Sequence, residues 1–348
     1  MTDQHLVGPH LPSPVHKPRT LLVMDQETRA ALLDEPLLAR LGATARLDPA
    51  LLVTDFATAD PARLRETEVL MTGWGCPPLT ERTLGLLPSL RAVVHTAGSV
   101  KGLMTEAAWR RGLSVTSAAE ANARPVAEYT VAAIVFANKR VLATARAYRE
   151  ARTQLNPLTL YPGIGNYGRT VGVIGASRIG RRVIELLRSY DAHVLVHDPY
   201  LDGAEAKALG VETVHLDELM GRSDVVTVHA PQTPETRHML DAGRLALMRD
   251  GATLVNTARG SLVDTEALTA ELVSGRLHAV LDVTHPDVLP AGSPLYDLPN
   301  VLLTPHVAGS LGNELGRLAA CAAAELERYA RGLPFAYAVH PASLAHSA

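Results

Sequence analysis

Only two of the 348 residues are cysteine, Cys76 and Cys321, and they lie far apart. That scarcity argues against a disulfide framework or a Cys-rich metal site and fits a reducing compartment. No apolar run approaches the ~18 residues needed to cross a bilayer, so no membrane span is expected. Charge of either sign is not in excess: 33 basic and 36 acidic residues leave a formal net charge of −3. Neither nucleic acid nor an anionic membrane is therefore an expected partner. Internal repeats are absent beyond an alternation of short apolar runs and helical patterns, and low complexity is confined to residues 1–19. That Pro- and His-rich stretch reads as a solvated, flexible tail. It lacks the basic start and apolar run of a secretory signal, so the expected location is cytoplasmic. What remains is 47% apolar and 20% charged, enough for a substantial core and for two domains.

Order is expected from about Thr20, with a strand at Leu21–Met24. Further apolar runs at Val69–Met71, Ala92–Val94 and Leu113–Val115 alternate with helix-like segments Pro61–Glu66, Thr80–Leu87 and Met104–Arg111. Such alternation predicts a parallel sheet covered by helices. Val126–Arg149 is one long helical pattern with no internal Pro or Gly, suited to connecting two domains. Beyond it come strands at Val171–Ile174, Val194–Val196, Val225–Val228, Thr253–Asn256, Ala279–Val283 and Val301–Leu303. The last four run into polar or Pro-containing strings, H-A-P-Q-T-P, T-A-R-G, D-V-T-H-P-D and T-P-H-V-A-G. Ligands of open α/β sheets bind at the carboxyl ends of strands, so these loops should converge on one crevice. A final helical stretch, Gly312–Arg331, is expected to return to the first domain.

The most specific local signal spans residues 170–200. A buried strand at Val171–Ile174 leads into G-A-S-R-I-G at 175–180, and Ile179, Val183, Ile184 and Leu187 then recur at helical spacing. A second strand ends at Asp198. This is a β-α-β unit for a dinucleotide: Gly175 and Gly180 allow a close turn, and helix-start N–H groups face a pyrophosphate. Ser177 stands where the middle glycine of the usual motif would be. A carboxylate at Asp198 can accept from a ribose diol and would repel a 2′-phosphate, which favours NAD. Arg181 and Arg182 keep NADP as an alternative.

Three residues of the polar loops form a plausible reaction centre: Arg259, Asp287 and His306. Moving a hydride to or from a carbonyl carbon requires a proton at the oxygen, a task suited to histidine. A neighbouring carboxylate orients the ring, and a guanidinium can bind an α-carboxylate through two hydrogen bonds. The many histidines also raise a metal hypothesis. His193 and His197 on one strand, and His5, His10 and His16 in the tail, lack convergent acids at ligand spacing, so no metal is expected. Trp74, just past the strand Val69–Met71, reads either as a lid or as a packed core aromatic.

From about residue 40 to residue 310 the chain resembles the D-isomer-specific 2-hydroxyacid dehydrogenases. The matching strings are V-A-E-Y-T-V-A at 126–132, T-V-G-V-I-G-A-S-R-I-G at 170–180 and H-A-P-Q-T-P-E-T at 229–236. They continue with L-V-N-T-A-R-G-S-L-V-D at 254–264, L-D-V at 281–283 and P-N-V-L-L-T-P-H-V-A-G at 299–309. The resemblance implies an α/β, two-domain architecture: a Rossmann NAD-binding domain with a doubly wound parallel sheet, over 123–310, and a flavodoxin-like substrate domain from 20–122 and 311–348. It aligns Arg259 with the catalytic Arg, His306 with the acid/base His and Asp287 with the catalytic Glu. It sets Ser177, Arg178 and Ile179 against the pyrophosphate, Asp198 on the ribose, and Thr257 and Asp282 beside the nicotinamide. Ala230 and Gly309 would close that cleft, while Ala97, Gly98, Ser99 and Val100 would face the substrate carboxylate. Helices around 126–149 would help form a homodimer.

Three departures from the family pattern bear on the substrate. Asp287 is shorter than Glu by one methylene, on the order of 1.5 Å. Thr284-His285 replaces Phe-Glu. Lys101 stands where relatives carry Asp, which points to a substrate with extra negative charge. The expected function is interconversion of a small D-2-hydroxy acid and its 2-oxo acid with NAD. The alternatives are a same-fold dehydrogenase of a phosphonate or phosphite, and a non-catalytic NAD-sensing protein like the corepressors of this fold.

Overall fold

The computed structural model describes residues 16–161 and 163–344. The chain divides into two compact units, one running to Asn122 and including Gly312–Pro341, the other Ala123–Leu311. Of the expected tail, residues 1–15 lie outside the described residues.

The first unit holds five strands: β1 (Thr20–Val23), β2 (Leu52–Val53), β3 (Val69–Thr72), β4 (Ala92–His95) and β5 (Ser114–Ser117). All pair in parallel in the order β2-β1-β3-β4-β5, the flavodoxin-like order. Every residue of β1, β3 and β4 is buried. Helices cover both faces of such a sheet, so its strands read as continuous apolar runs rather than alternating ones. Helix starts are set by Asp25, Asp34 and Asp60, whose side chains accept from first-turn N–H groups. The helix Leu315–Ala330 buries Leu315, Leu318, Ala319, Ala322, Ala323 and Leu326 at three- and four-residue spacing. These pack with Leu22, Met24, Leu41, Met71 and Val94 in one core, each buried Leu contributing about 1.5–3 kcal/mol.

The second unit holds β6 (Arg169–Ile174), β7 (Ala192–His197), β8 (Glu212–Thr213), β9 (Val225–Val228), β10 (Thr253–Asn256), β11 (His278–Leu281) and β12 (Val301–Leu303). They lie in the order β12-β11-β10-β9-β6-β7-β8, all parallel. Chain order reverses between β6 and β9, which defines the switch point of a doubly wound sheet. Because the strands are parallel, the segments that follow β6, β9, β10, β11 and β12 all leave from the same carboxyl edge. That topology brings Gly175, Ala230, Arg259, Asp287 and His306 to one side of one sheet.

Two details differ from the sequence-based expectations. The pattern Val126–Arg149 is two helices, Ala119–Asn138 and Val141–Ala151, broken at Arg140 with φ +50°. Neither Gly nor Pro marks the break. Arg140 donates instead to the Gly251 carbonyl and the Thr253 hydroxyl, a long-range tie that local periodicity does not register. Trp74 is 45% exposed, so it is not a core aromatic.

Candidate active site

The glycine-rich turn is built by close backbone approach. Gly175 has φ +94°, and a Cβ on it would lie 2.7 Å from the Ala230 nitrogen; a Cβ on Gly180 would lie 2.0 Å from the Gly175 carbonyl oxygen. Only glycine fits at both places. Ser177 caps the helix Arg178–Leu187, its hydroxyl accepting from Gly180 N–H at 3.4 Å. Serine thus does at the middle position what helix starts require. Ile179 enters the first turn, where N–H groups lack intrahelical partners. Asp198 reaches back to this turn: its carboxylate accepts from Ala176 N–H at 2.7 Å and from Tyr200 N–H at 2.8 Å. Arg181 donates to the Ala176 carbonyl at 2.9 Å and pairs with Glu205 at 3.1 Å. These residues fit a dinucleotide: two glycines with no room for a side chain, a capped helix start and an acid fixed against the turn.

Beneath the turn lies His229, at the end of β9 and 1% exposed. Its Nε2 is 2.9 Å from Thr227 Oγ1, and Nδ1 is buried with no hydrogen-bond partner. Burial pushes this ring down to about 3, so it is neutral throughout the physiological range.

After β10, Asn256 shapes the next loop. Its amide donates to the Arg259 carbonyl at 2.9 Å, and its oxygen accepts from Ala258 N–H at 3.0 Å. Thr257 is buried with its hydroxyl 2.9 Å from that of Thr130. The Arg259 side chain is partly buried and donates to the Ala258 carbonyl at 2.6 Å. Burial pushes its guanidinium below the ordinary value, and the nearby charge of Asp287 opposes that shift. The two loops meet because residue 260 is glycine: a Cβ there would lie 2.0 Å from the Thr284 carbonyl. Thr284 in turn donates to the Pro286 and Asp287 carbonyls at 2.8 and 3.1 Å, so the residue that departs from the family pattern fixes the Asp287 backbone.

Asp282, 2% exposed, organises the loop after β12. Its carboxylate accepts from Thr304 Oγ1 at 2.6 Å, Val307 N–H at 2.7 Å and Ala308 N–H at 2.9 Å. The Asp282 carbonyl also accepts from His306 N–H at 2.9 Å. These contacts hold His306 at φ +57°, a left-handed conformation that costs about 1–2 kcal/mol for a residue with a Cβ. The His306 ring is exposed and makes no side-chain hydrogen bond among the described residues. Three acceptor sites of the Asp282 carboxylate are thus taken, leaving one for a ligand.

The structure therefore brings Arg259 and Asp287 into one electrostatic neighbourhood, while no ion pair or hydrogen bond joins Asp287 to His306 among the described residues. Gly309 follows the Asp282-bound amides. Ala97, Gly98, Ser99 and Val100 belong to the first unit, in the loop after β4. Ala97 and Val100 are buried, Ser99 is exposed, and none of the four N–H groups finds a backbone acceptor among the described residues. Successive N–H groups without a backbone acceptor suit an anion.

Tyr129, Thr130, Asn256 and Thr304 were not singled out from the sequence. Tyr129 OH lies 2.9 Å from Thr304 Oγ1, which links it to Asp282. Tyr129 and Thr130 do sit inside the string V-A-E-Y-T-V-A, and that string was their signal. Among the described residues no group of three or more His, Cys, Asp or Glu could hold a metal. His5 and His10 lie outside the described residues, and His16 contacts Glu68 at 3.0 Å. No helix is long and apolar enough to cross a membrane.

A doubly wound sheet with a glycine-rich turn, an acid at the end of the second strand and Arg, Asp and His loops at one edge defines a dinucleotide-binding α/β protein. Comparison with known proteins gives the family. The family model for the NAD-binding domain of D-isomer specific 2-hydroxyacid dehydrogenases matches residues 131–308. A glyoxylate reductase of Aeropyrum pernix is 34% identical over 281 residues, covering 78% of this chain and 82% of that one. A D-3-phosphoglycerate dehydrogenase of Mycobacterium bovis is 35% identical over 230 residues, 65% of this chain and 42% of that one. The match thus spans less than half the length of this curated relative. The structure of D-lactate dehydrogenase from Aquifex aeolicus, complexed with NAD and lactic acid, has a TM-score of 0.69 at 26% identity, covering 90% of this chain and 96% of that one. The chain belongs to the D-isomer specific 2-hydroxyacid dehydrogenase family.

Proposed function

We propose that this protein is an NAD-dependent oxidoreductase interconverting a small D-2-hydroxy acid and its 2-oxo acid. The observation that carries the reading is the carboxyl edge of the second sheet. There a partly buried guanidinium at Arg259 shares a field with Asp287, and His306 is held by its backbone with its ring unengaged. A dinucleotide with its pyrophosphate at the glycine-rich turn and its nicotinamide beside Thr257 and Asp282 would supply or accept the hydride.

Arg259 binds the substrate carboxylate and polarises the adjacent carbonyl. In reduction the carbonyl carbon gains a hydride while the C=O π pair moves to oxygen, and the His306 imidazolium gives that oxygen its proton. In oxidation the neutral ring takes the proton back. In this reading Asp287 orients the His306 ring. Reduction therefore needs the ring protonated and oxidation needs it neutral, so the two directions have opposite pH dependence. Asp198 selects NAD, supported by the engagement of Arg181 with the Ala176 carbonyl and Glu205, which draws that cation away from a 2′-phosphate. Exposed Phe136 and Leu142, on the helices Ala119–Asn138 and Val141–Ala151, support a homodimer through this region.

The test is NADH oxidation against a panel of 2-oxo acids and phosphonate analogues, repeated with NADPH. Turnover of one or more 2-oxo acids with NADH preferred is the expected result. No turnover of any acid, with NADH still bound, defeats the proposal and favours a cofactor-sensing role.

A further inference from the structure

Thr257 and Asp282, the nicotinamide's neighbours in the function proposed above, are both fixed by one turn of one helix. Tyr129 and Thr130 are consecutive residues of the helix Ala119–Asn138. Thr130 is 0% exposed, and its hydroxyl donates to the Val126 carbonyl at 2.8 Å, the back-bond open to a threonine inside a helix. A hydroxyl has one proton to give. The hydroxyl oxygens of Thr130 and Thr257 lie 2.9 Å apart, so the donor of that bond is Thr257. Its proton is thereby used within the protein, and only lone pairs remain on Thr257 for a ligand.

Asp282 is treated alike. Its carboxylate accepts the Thr304 hydroxyl proton at 2.6 Å, so the 2.9 Å contact between the Tyr129 and Thr304 hydroxyls is donated by Tyr129. Tyr129 thus satisfies the Thr304 oxygen and strengthens the bond that Thr304 makes to Asp282. Oδ1 of Asp282 accepts from Thr304 and from Val307 N–H, whereas Oδ2 accepts from Ala308 N–H alone. The acceptor site left for a ligand is on Oδ2. Asp282 and Thr257 are both buried, so the two offer a ligand acceptors and no side-chain donor. An NH2 group satisfies such a pair, while a carboxylate leaves both acceptors unpaired and is repelled by Asp282.

We propose that Thr130 and Tyr129 are positioning residues that hold Thr257 and Asp282 as acceptors, and that the pocket thereby selects the carboxamide of a nicotinamide dinucleotide against the carboxylate of its nicotinic acid counterpart. The inference rests on reading Thr257 and Asp282 as the nicotinamide's neighbours. Thr130 is the stricter control, because the Val126 carbonyl takes its proton and so sets the direction of the Thr257 hydroxyl. Without Thr130 as acceptor, Thr257 is free to turn and donate to a carboxylate.

The test is calorimetric binding of NAD and of nicotinic acid adenine dinucleotide to the full chain, with no substrate present. Wild type is expected to favour NAD about 100-fold or more. Thr130→Val keeps the side-chain shape without the hydroxyl and should cut that ratio about tenfold. Thr130→Ser retains the hydroxyl and should restore most of it. Tyr129→Phe should lower the ratio by about threefold. A merely structural loss weakens both dinucleotides alike and leaves the ratio where it was. Should Thr130→Val fail to fold, Tyr129→Phe carries the test, and an unchanged ratio there overturns the inference. Equal binding of the two dinucleotides by wild type, an unchanged ratio in Thr130→Val, or equal effects of Val and Ser overturns it as well. Binding of neither dinucleotide by wild type defeats the cofactor reading itself, and this inference with it.

Discussion

The two sheets each place a histidine at the carboxyl edge of a strand, and the two could hardly be treated more differently. His95 ends β4, is 5% exposed and has a ring partner in Thr72. His306 lies just beyond β12, is exposed, and is held by its N–H and by a left-handed backbone while its ring remains unengaged. Burial yields a neutral ring. Exposure with both nitrogens available yields a group that can exchange a proton with a ligand. His229 makes the same point, since it directly follows β9 on the very edge that carries the site, yet it is buried and neutral. Position at a strand end is therefore insufficient; solvent access decides whether the ring can meet a ligand.

The sharpest way to break this contrast is to remove the unengaged ring. His306→Ala should lower turnover at least ~100-fold, with NADH affinity and melting temperature little changed. Arg259→Ala should do the same, because its guanidinium is the proposed carboxylate anchor. Near-wild-type kcat/KM in either variant would refute their roles. Gly260→Ala tests how the Arg259 and Asp287 loops are brought together. The added methyl meets the Thr284 carbonyl at 2.0 Å, so a loss of about 2–4 kcal/mol in chemical denaturation is expected. An unperturbed midpoint would mean that the two loops separate freely.

The buried rings make a pH prediction that the exposed one does not. In the folded chain His95 is pushed down to about 4 and His229 to about 3, while both titrate near 6.5 when unfolded. Between those values the unfolded chain binds more protons than the folded one, so stability rises with pH there. The contribution is complete above about pH 6.5 and is lost as pH falls toward 4. A loss of about 2–4 kcal/mol for His95 alone is expected over that range. His95→Gln should flatten the acid limb of the melting curve against pH, whereas an unaltered limb would mean that the ring is accessible to protons. The smallest effect concerns cofactor choice. Asp198→Ala should raise the KM for NADH about tenfold, roughly 1.4 kcal/mol, and narrow its advantage over NADPH. An unchanged ratio of the two cofactors would remove Asp198 from the ribose site.

Much of this site was legible before any coordinates. Gly175, Gly180 and Asp198 declare themselves because a turn without Cβ room, a helix start and an acid after the next strand are local features at fixed spacing. Arg259 and His306 stand out as candidates because their strings follow strands of one sheet. Thr304 and Tyr129 do not, since their hydrogen bonds run across the fold toward Asp282 and carry no spacing of their own; Asn256 does not either, because its bond to the Arg259 carbonyl shows only once the loop after β10 is seen. The helix break at Arg140 escaped for the same reason: its hydrogen bonds to Gly251 and Thr253 come from a distant strand.

What the sequence determined by itself was the parallel α/β plan and the nucleotide turn, because apolar periodicity, Asp caps and glycine spacing act over a few residues. What only the tertiary structure decided was the fate of each ionisable side chain. Whether Asp282 holds a loop, whether His95 stays neutral and whether Arg259 and Asp287 share a field depend on desolvation and on partners far along the chain, and neither is written in local order.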